Sequence, residues 1–130
     1  NAMSCVLRIS NGVRTALLAG DIEQAQEARL VDSMGGGLKA DVLLIPHHGS
    51  KTSSSAAFLD AVAPAVGIVQ SGYRNRFGHP ASVVTARLHE RHIRVEDSPH
   101  CGAFTWQSWQ TQDGACERAQ SQRYWHHRVP

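Results

Sequence analysis

Apolar residues along this chain gather in short runs, and each run ends in a cluster of polar and glycine residues. Cys5–Ile9 and Val13–Leu18 have strand composition and flank Asn11-Gly12. A two-residue hairpin turn needs positive φ at its centre, so this pair predicts an antiparallel hairpin. Residues 22–34 read as a helix with Ile22, Ala25, Leu30, Val31 and Met34 on a loose apolar face, ended by Gly35-Gly36-Gly37. Ala40–Ile45 is a continuous apolar run, the pattern of a strand covered on both faces.

The second half continues the alternation. Thr52-Ser53-Ser54-Ser55 is a helix-start signal for a short helix over 56–62, stopped before Pro64. A strand is predicted over 65–70, then a loop from Ser71 to His79. Pro80 suits the first position of a helix over 81–90 that turns Val83, Val84, Leu88 and the stem of Arg87 inward. Residues 93–96 and 101–106 read as two closing strands. From Gln107 the composition is polar without periodicity, which predicts a loosely packed or disordered tail over 107–130. Strands alternating with helices place the chain in the α/β class, layered as α+β around a mixed sheet. Asn1-Ala2 before Met3 look like the remnant of a cleaved tag. The division is therefore 1–3 as tag and start, 4–106 as the folded body and 107–130 as tail.

Composition narrows the classes. At 130 residues the chain is one domain or part of one, with 42% hydrophobic residues and a net charge of +2. That charge is too small to mark a nucleic-acid binder by itself. No apolar run has the length of a membrane span, so no membrane contact by this chain itself is expected. The three cysteines are widely spaced and odd in number, which argues against a zinc ribbon or a disulfide framework. Cys5 and Cys101 are expected to be buried small hydrophobes, and Cys116 to be exposed.

The chemistry collects at strand ends, where sites form in such sheets. Leu17-Leu18-Ala19-Gly20-Asp21 ends in a carboxylate, and Ile45-Pro46-His47-His48-Gly49-Ser50 ends in two imidazoles. A carboxylate and an imidazole on neighbouring strands make plausible zinc or manganese ligands, with Asp21 able to bridge two ions. The plainer reading of Asp21 is a helix N-cap. Ser50 either hydrogen-bonds the site or caps a turn. In the Tyr73–His79 loop, Arg74 and Arg76 are anion binders and His79 is an acid, a base or a cap for the following helix.

The ordered set Ser-Cys-Val-Leu-Arg-Ile, Leu-Leu-Ala-Gly-Asp-Ile-Glu, Ala-Asp-Val-Leu-Leu-Ile-Pro-His-His-Gly-Ser-Lys-Thr-Ser and Arg-Asn-Arg-Phe-Gly-His-Pro resembles the metallo-β-lactamase-like domain at the C-terminus of ComEC-type competence (DNA-uptake) proteins. The resemblance covers about residues 4 to 106. It implies the second half of an αββα sandwich and a site for two divalent metals, zinc or manganese. Asp21 matches the bridging carboxylate, and His48 the last histidine ligand, with His47 as the neighbouring alternative. His79 falls near the site as catalytic proton donor or substrate contact, and Arg74, Arg76 and Ser50 as substrate-binding residues. The superfamily's main ligand cluster, His-x-His-x-Asp-His, has no counterpart in this chain. The isolated chain is therefore expected to bind metal weakly and to be inactive.

For the parent protein the resemblance implies a metal-dependent nuclease that degrades the DNA strand not imported. It implies an inner-membrane channel as the rest of the same protein, and this domain on the extracytoplasmic face. Its partners are then single-stranded DNA, the remainder of its own channel protein, and a second copy through an exposed sheet edge. The alternative from another class is a non-catalytic nucleic-acid-binding or assembly module with a degenerate metal site.

Overall fold

The computed structural model describes residues 3–111 and 114–130. Asn1 and Ala2, read as a tag remnant, lie outside the described residues.

Strands β1 (Leu7–Ser10) and β2 (Thr15–Leu18) form the expected antiparallel hairpin, with Ser10 opposite Thr15. The turn is longer than a two-residue type: it spans Asn11–Arg14, and of its residues Gly12 alone has positive φ. Asn11 sets this geometry, its side-chain oxygen accepting from the Val13 and Arg14 amides at 3.0 and 2.8 Å. Strands β3 (Val42–Leu44), β4 (Val66–Val69) and β5 (Arg94–Asp97) extend the sheet in the order β1-β2-β3-β4-β5. From β2 to β5 every pairing is parallel. Parallel neighbours need crossovers, and helices α1 (Gln24–Met34), α2 (Ala56–Val62) and α3 (Ser82–Glu90) supply them. This is the mixed α/β, layered architecture that the alternation of runs predicts.

The core lies under one face of the sheet. Leu17, Leu43 and Val69 project from the strands into a cluster with Phe58, Leu59 and Val62 of α2 and Val84 and Leu88 of α3, all 1% exposed or less. Strand side chains alternate, so the neighbours Leu18, Leu44 and Ile68 line the other face, where they are half-buried or exposed. The continuous apolar run of β3 is thus covered fully on one face and partly on the other. Among the described residues a second packed sheet, as in an αββα sandwich, is not present.

Four local expectations need correction. The cap of α1 is Glu23, not Asp21: the chain turns in two residues later, where the Gln26 side chain folds back to accept from the Glu23 amide at 3.1 Å. On α1 itself, Ala25 and Met34 are exposed and the fully buried residue is Glu27. Pro80 precedes α3 rather than opening it, since Ala81 is the cap, and Val83 is exposed while Val84 and Leu88 are buried. The last predicted strand does not join the sheet. Ser98–Cys101 forms a helical turn, α4, capped by the Asp97 side chain, and β6 (Phe104–Thr105) pairs with β7 (Ala115–Cys116) in a separate ribbon.

The cysteines also depart from expectation. Cys101 is buried as predicted, but it forms a disulfide with Cys116, and Cys5 is exposed. The ribbon, the disulfide and helix α5 (Glu117–Gln120) fasten the segment after Trp106 to the body, with the Glu117 amide donating to the Ala103 carbonyl at 2.9 Å. His100 sits at this junction. Its Nδ1 meets both Asp97 carboxylate oxygens, at 2.7 and 2.8 Å, and Nε2 meets the Pro130 carbonyl at 3.2 Å. The hydrogen bond to Asp97 first, then the Pro130 carbonyl, hold the imidazolium and raise its pKa above the ordinary 6.5. That stabilisation is complete below pH 6.5 and is lost as pH rises through the folded-state midpoint. An NMR titration of the His100 ring should therefore give a midpoint above 6.5, and Asp97→Asn should bring it down toward the ordinary value.

Candidate metal and phosphodiester site

Parallel strands β2 and β3 end side by side, and their continuations carry the candidate ligands. The join is direct: the His47 amide donates to the Gly20 carbonyl at 2.9 Å, and the Asp21 amide donates to Ser4 Oγ at 2.8 Å. There is no room for a side chain at position 20, where a Cβ would lie 2.6 Å from Ser4 Oγ. Pro46–Gly49 then forms a tight turn with His47 and His48 both in left-handed conformation, at φ 49° and 56°. Such backbone costs about 1 kcal/mol or more per non-glycine residue and persists only where surrounding contacts enforce it. Here the Ser50 amide closes the turn onto the His47 carbonyl at 2.9 Å, and the Ala81 amide reaches the Gly49 carbonyl at 2.8 Å.

This turn aims the two imidazoles apart. His48 Nδ1 lies 2.6 Å from the Gln70 carbonyl and Nε2 lies 3.5 Å from Asp21 Oδ1. A carbonyl only accepts, so Nδ1 must carry the proton, and in neutral His48 the Nε2 lone pair faces a carboxylate. Two acceptors so placed could share a metal ion between or beside them. A backbone carbonyl holding the far nitrogen is also how metal-binding histidines are oriented. Ligands on a tetrahedral zinc, at bonds of about 2.0–2.2 Å, stand roughly 3.3–3.5 Å apart, which the His48–Asp21 pair matches. His47 contributes a second feature: its Nδ1 is buried without a hydrogen bond, 3.3 Å from Glu23 Oε1 but off the bonding direction. The donor set fits a divalent metal in part. It is short of a full sphere, because Asp21, His47 and His48 do not close into a three-ligand group among the described residues. The group that does close, Glu96 with Cys101 and Cys116, has both sulfurs in the disulfide and so no thiolate to offer.

His79 reaches the same place. Its ring packs edge-on against His47, with centroids 6.1 Å apart, and stacks on Phe77 at 5.7 Å. Asn75 fixes its backbone at both ends, accepting from the His79 amide at 2.9 Å and donating to its carbonyl at 2.6 Å. Desolvation first, then the charges of His47 and His48, push its pKa below the ordinary value, which keeps this ring neutral near pH 7. Arg74 and Arg76 are exposed, each lying over its neighbouring ring, Tyr73 at 5.2 Å and Phe77 at 4.9 Å. Ser50 is the outlier among the predicted residues. It is 7% exposed and its hydroxyl pairs with Thr52 Oγ1 at 3.1 Å, so it shapes the turn rather than facing the site.

Sequence reasoning misses the support beneath the turn. Glu27 is completely buried, and its two carboxylate oxygens accept from the Ser54 and Ser55 amides at 2.5 and 2.8 Å. Arg87 Nη1 donates to the Ser54 carbonyl at 3.1 Å, and Ser53 Oγ, also buried, donates to the Pro46 carbonyl at 2.8 Å. A carboxylate in mid-helix on the side that carries Leu30 and Val31 is the one signal the sequence offers for this network.

No family model matches the chain. Among curated proteins it is 41% identical over 104 residues to competence protein ComA of Neisseria gonorrhoeae, an alignment covering 80% of this chain and 15% of that protein. It is 39% identical over 102 residues to recombination protein 2 of Haemophilus influenzae, with 78% and 13% covered. It is 36% identical over 95 residues to ComE operon protein 3 of Bacillus subtilis, with 73% and 12% covered. Competence proteins are thus among the homologues of this chain, and the chain spans 15% or less of the length of these three relatives. No helix among the described residues is long and apolar enough to cross a membrane.

Proposed function

We propose that this chain is part of the metal-dependent hydrolase domain of a DNA-uptake protein, a reading that joins the competence relatives to the chemistry at the ends of β2 and β3. The observation that carries it is the facing pair, His48 Nε2 against Asp21 Oδ1 at 3.5 Å with His48 Nδ1 tied to the Gln70 carbonyl. Asp21 and His48 would hold zinc or manganese, and His47, whose buried Nδ1 lies toward Glu23, is the neighbouring alternative. A metal bound there supplies Lewis acidity at a phosphodiester. His79, neutral and clamped by Asn75, takes up or returns a proton at its ring nitrogen beside that phosphodiester. Arg74 and Arg76 bind the flanking phosphates. Zinc asks for three or four ligands, so the reading requires more donors from the long remainder of the protein.

The half-buried sheet face of Leu18, Leu44 and Ile68 is the natural seat for that remainder, and the exposed edge strand β1 is the seat for a second copy. In the parent we place the domain on the extracytoplasmic face of the inner membrane, degrading the strand that is not imported. The Cys101–Cys116 disulfide supports that side, since such bonds persist in oxidising compartments.

Calorimetric titration with zinc tests the ligand assignment. The chain alone should bind weakly, and Asp21→Ala should reduce that binding at least tenfold. Unchanged weak binding in Asp21→Ala removes Asp21 from the ligand set, while tight stoichiometric binding by the chain alone, lost in Asp21→Ala, contradicts an incomplete site. A non-catalytic module would bind DNA in a salt-dependent way but show no zinc binding that Asp21→Ala reduces.

A further inference from the structure

The segment after α5 carries a basic, aromatic sequence, Arg123-Tyr124-Trp125-His126-His127-Arg128, that the hydrolase reading leaves unused. It borders a cavity of about 560 Å³ against Pro99 and His100. Arg118, Arg123 and Arg128 line this cavity together with His100 and His126, and no carboxylate side chain is among its walls. Tyr124 lies on its wall and is 96% exposed, and the next residue, Trp125, is 60% exposed. Arg123 lies over the Trp125 ring at 5.4 Å, the same arrangement as Arg74 over Tyr73 and Arg76 over Phe77. The two regions touch: the His127 and Tyr73 rings pack at 5.5 Å. Among the described residues none of Arg74, Arg76, Arg123 and Arg128 is in an ion pair with a carboxylate.

We infer that residues 123–128 and the Tyr73–Phe77 loop form one continuous surface that binds single-stranded nucleic acid. Exposed aromatic rings interleaved with guanidinium groups match the two repeating features of a single strand, its unpaired bases and its phosphates. Trp125 carries Arg123 beside its ring and is 60% exposed, and Tyr124 is 96% exposed, so these two rings offer surface to a base. A duplex hides its bases in the stack and can use only the charges. The surface reaches the hydrolase site through Phe77, which stacks on His79. The disulfide, the β6–β7 ribbon and the seating of Arg118 against Gly102 fix where the tail lies, so the surface is held rather than assembled on binding. This inference rests on the proposed function only for the fate of the strand, because binding itself needs neither metal nor cleavage.

The test is fluorescence anisotropy of the full chain with labelled oligothymidine, in chelator, against the same length of duplex. The chain should prefer the single strand. Tyr124→Ala with Trp125→Ala should weaken it about tenfold or more, with the duplex affinity nearly unchanged. Arg123→Gln with Arg128→Gln should flatten the dependence of log affinity on log salt by about 0.7 for each phosphate that is no longer neutralised. Circular dichroism on each variant separates weakened binding from unfolding, and these exposed positions should leave the fold intact. Equal affinity for duplex, or full binding by both double variants, overturns the inference. So does binding to phosphatidylglycerol vesicles without binding to oligothymidine. Loss of zinc binding in Asp21→Ala reports on the hydrolase reading alone, so either idea can fail without the other.

Discussion

Glu27→Ala is expected to lower the stability of this chain by about 3–5 kcal/mol, a large part of what a domain of this size possesses. The carboxylate accepts from two successive amides, Ser54 and Ser55, at the start of α2, and the surrounding side chains exclude water. Truncation to alanine leaves both amides without partners, each at a cost of about 1–3 kcal/mol, and adds the cavity of the missing side chain. It also removes a negative charge from a helix N-terminus, where the backbone dipole favours one. Glu27→Gln keeps the shape and one acceptor but points an amide donor at the other N–H, so it should cost less than alanine yet clearly more than a surface substitution. Urea denaturation reads this as a lower midpoint at unchanged slope. A loss below about 1 kcal/mol for Glu27→Ala would mean that water reaches both amides, including that of the buried Ser54. Because Ser53 ties the same turn to the Pro46 carbonyl, the damage should spread to His47 and His48, and zinc binding should fall with stability.

What the sequence makes legible follows the range of the interactions involved. The hairpin, the parallel strands and the three crossover helices are encoded by neighbours within a few residues, and all of them form. The meeting of Asp21 with His48 is legible too, because two apolar strands that end in ligand types must place those ends together once they pair in parallel. His79 joins them because the loop after β4 opens at the same end of the sheet. Glu27 is not legible in this way, since its partners lie 27 and 28 residues away and a lone acid in a helix is ordinarily a solvated one. The disulfide is hidden for a similar reason: Cys101 and Cys116 are 15 residues apart, and their meeting depends on a two-residue ribbon too short to announce itself. That Glu23 and not Asp21 caps the helix depends on where the backbone enters it, a matter of two residues that local composition does not resolve. Ser50 misleads because a serine beside two histidines reads the same whether it faces the site or the turn.

Gly49→Ala is the second large effect, and it separates the shape of the turn from its chemistry. Gly49 has φ +79°, and a Cβ there would lie 2.7 Å from the Pro80 Cβ and 3.1 Å from its Cα. The obstacle is a ring at the foot of α3, not the tip of a flexible side chain, so the turn must move. Left-handed strain costs about 1–2 kcal/mol and overpacking a further 1–3 kcal/mol. Gly12→Ala supplies the control: φ is +86° in the hairpin turn, with nothing within 4 Å of the added carbon, so it carries the strain alone. The difference between the two variants in urea denaturation isolates the clash with Pro80, and should be about 1–3 kcal/mol. The functional consequence is larger than the energetic one. The Gly49 carbonyl accepts from Ala81, and the turn it closes orients His48 toward Asp21 from a carbonyl tether on Gln70. A shift of about 1 Å is enough to take a ligand pair out of register, so Gly49→Ala should abolish the weak zinc binding while Gly12→Ala leaves it unchanged. Equal stability loss in the two variants, with zinc binding retained in both, would mean that Pro80 yields and that the close approach of Gly49 to α3 does not set the site's geometry.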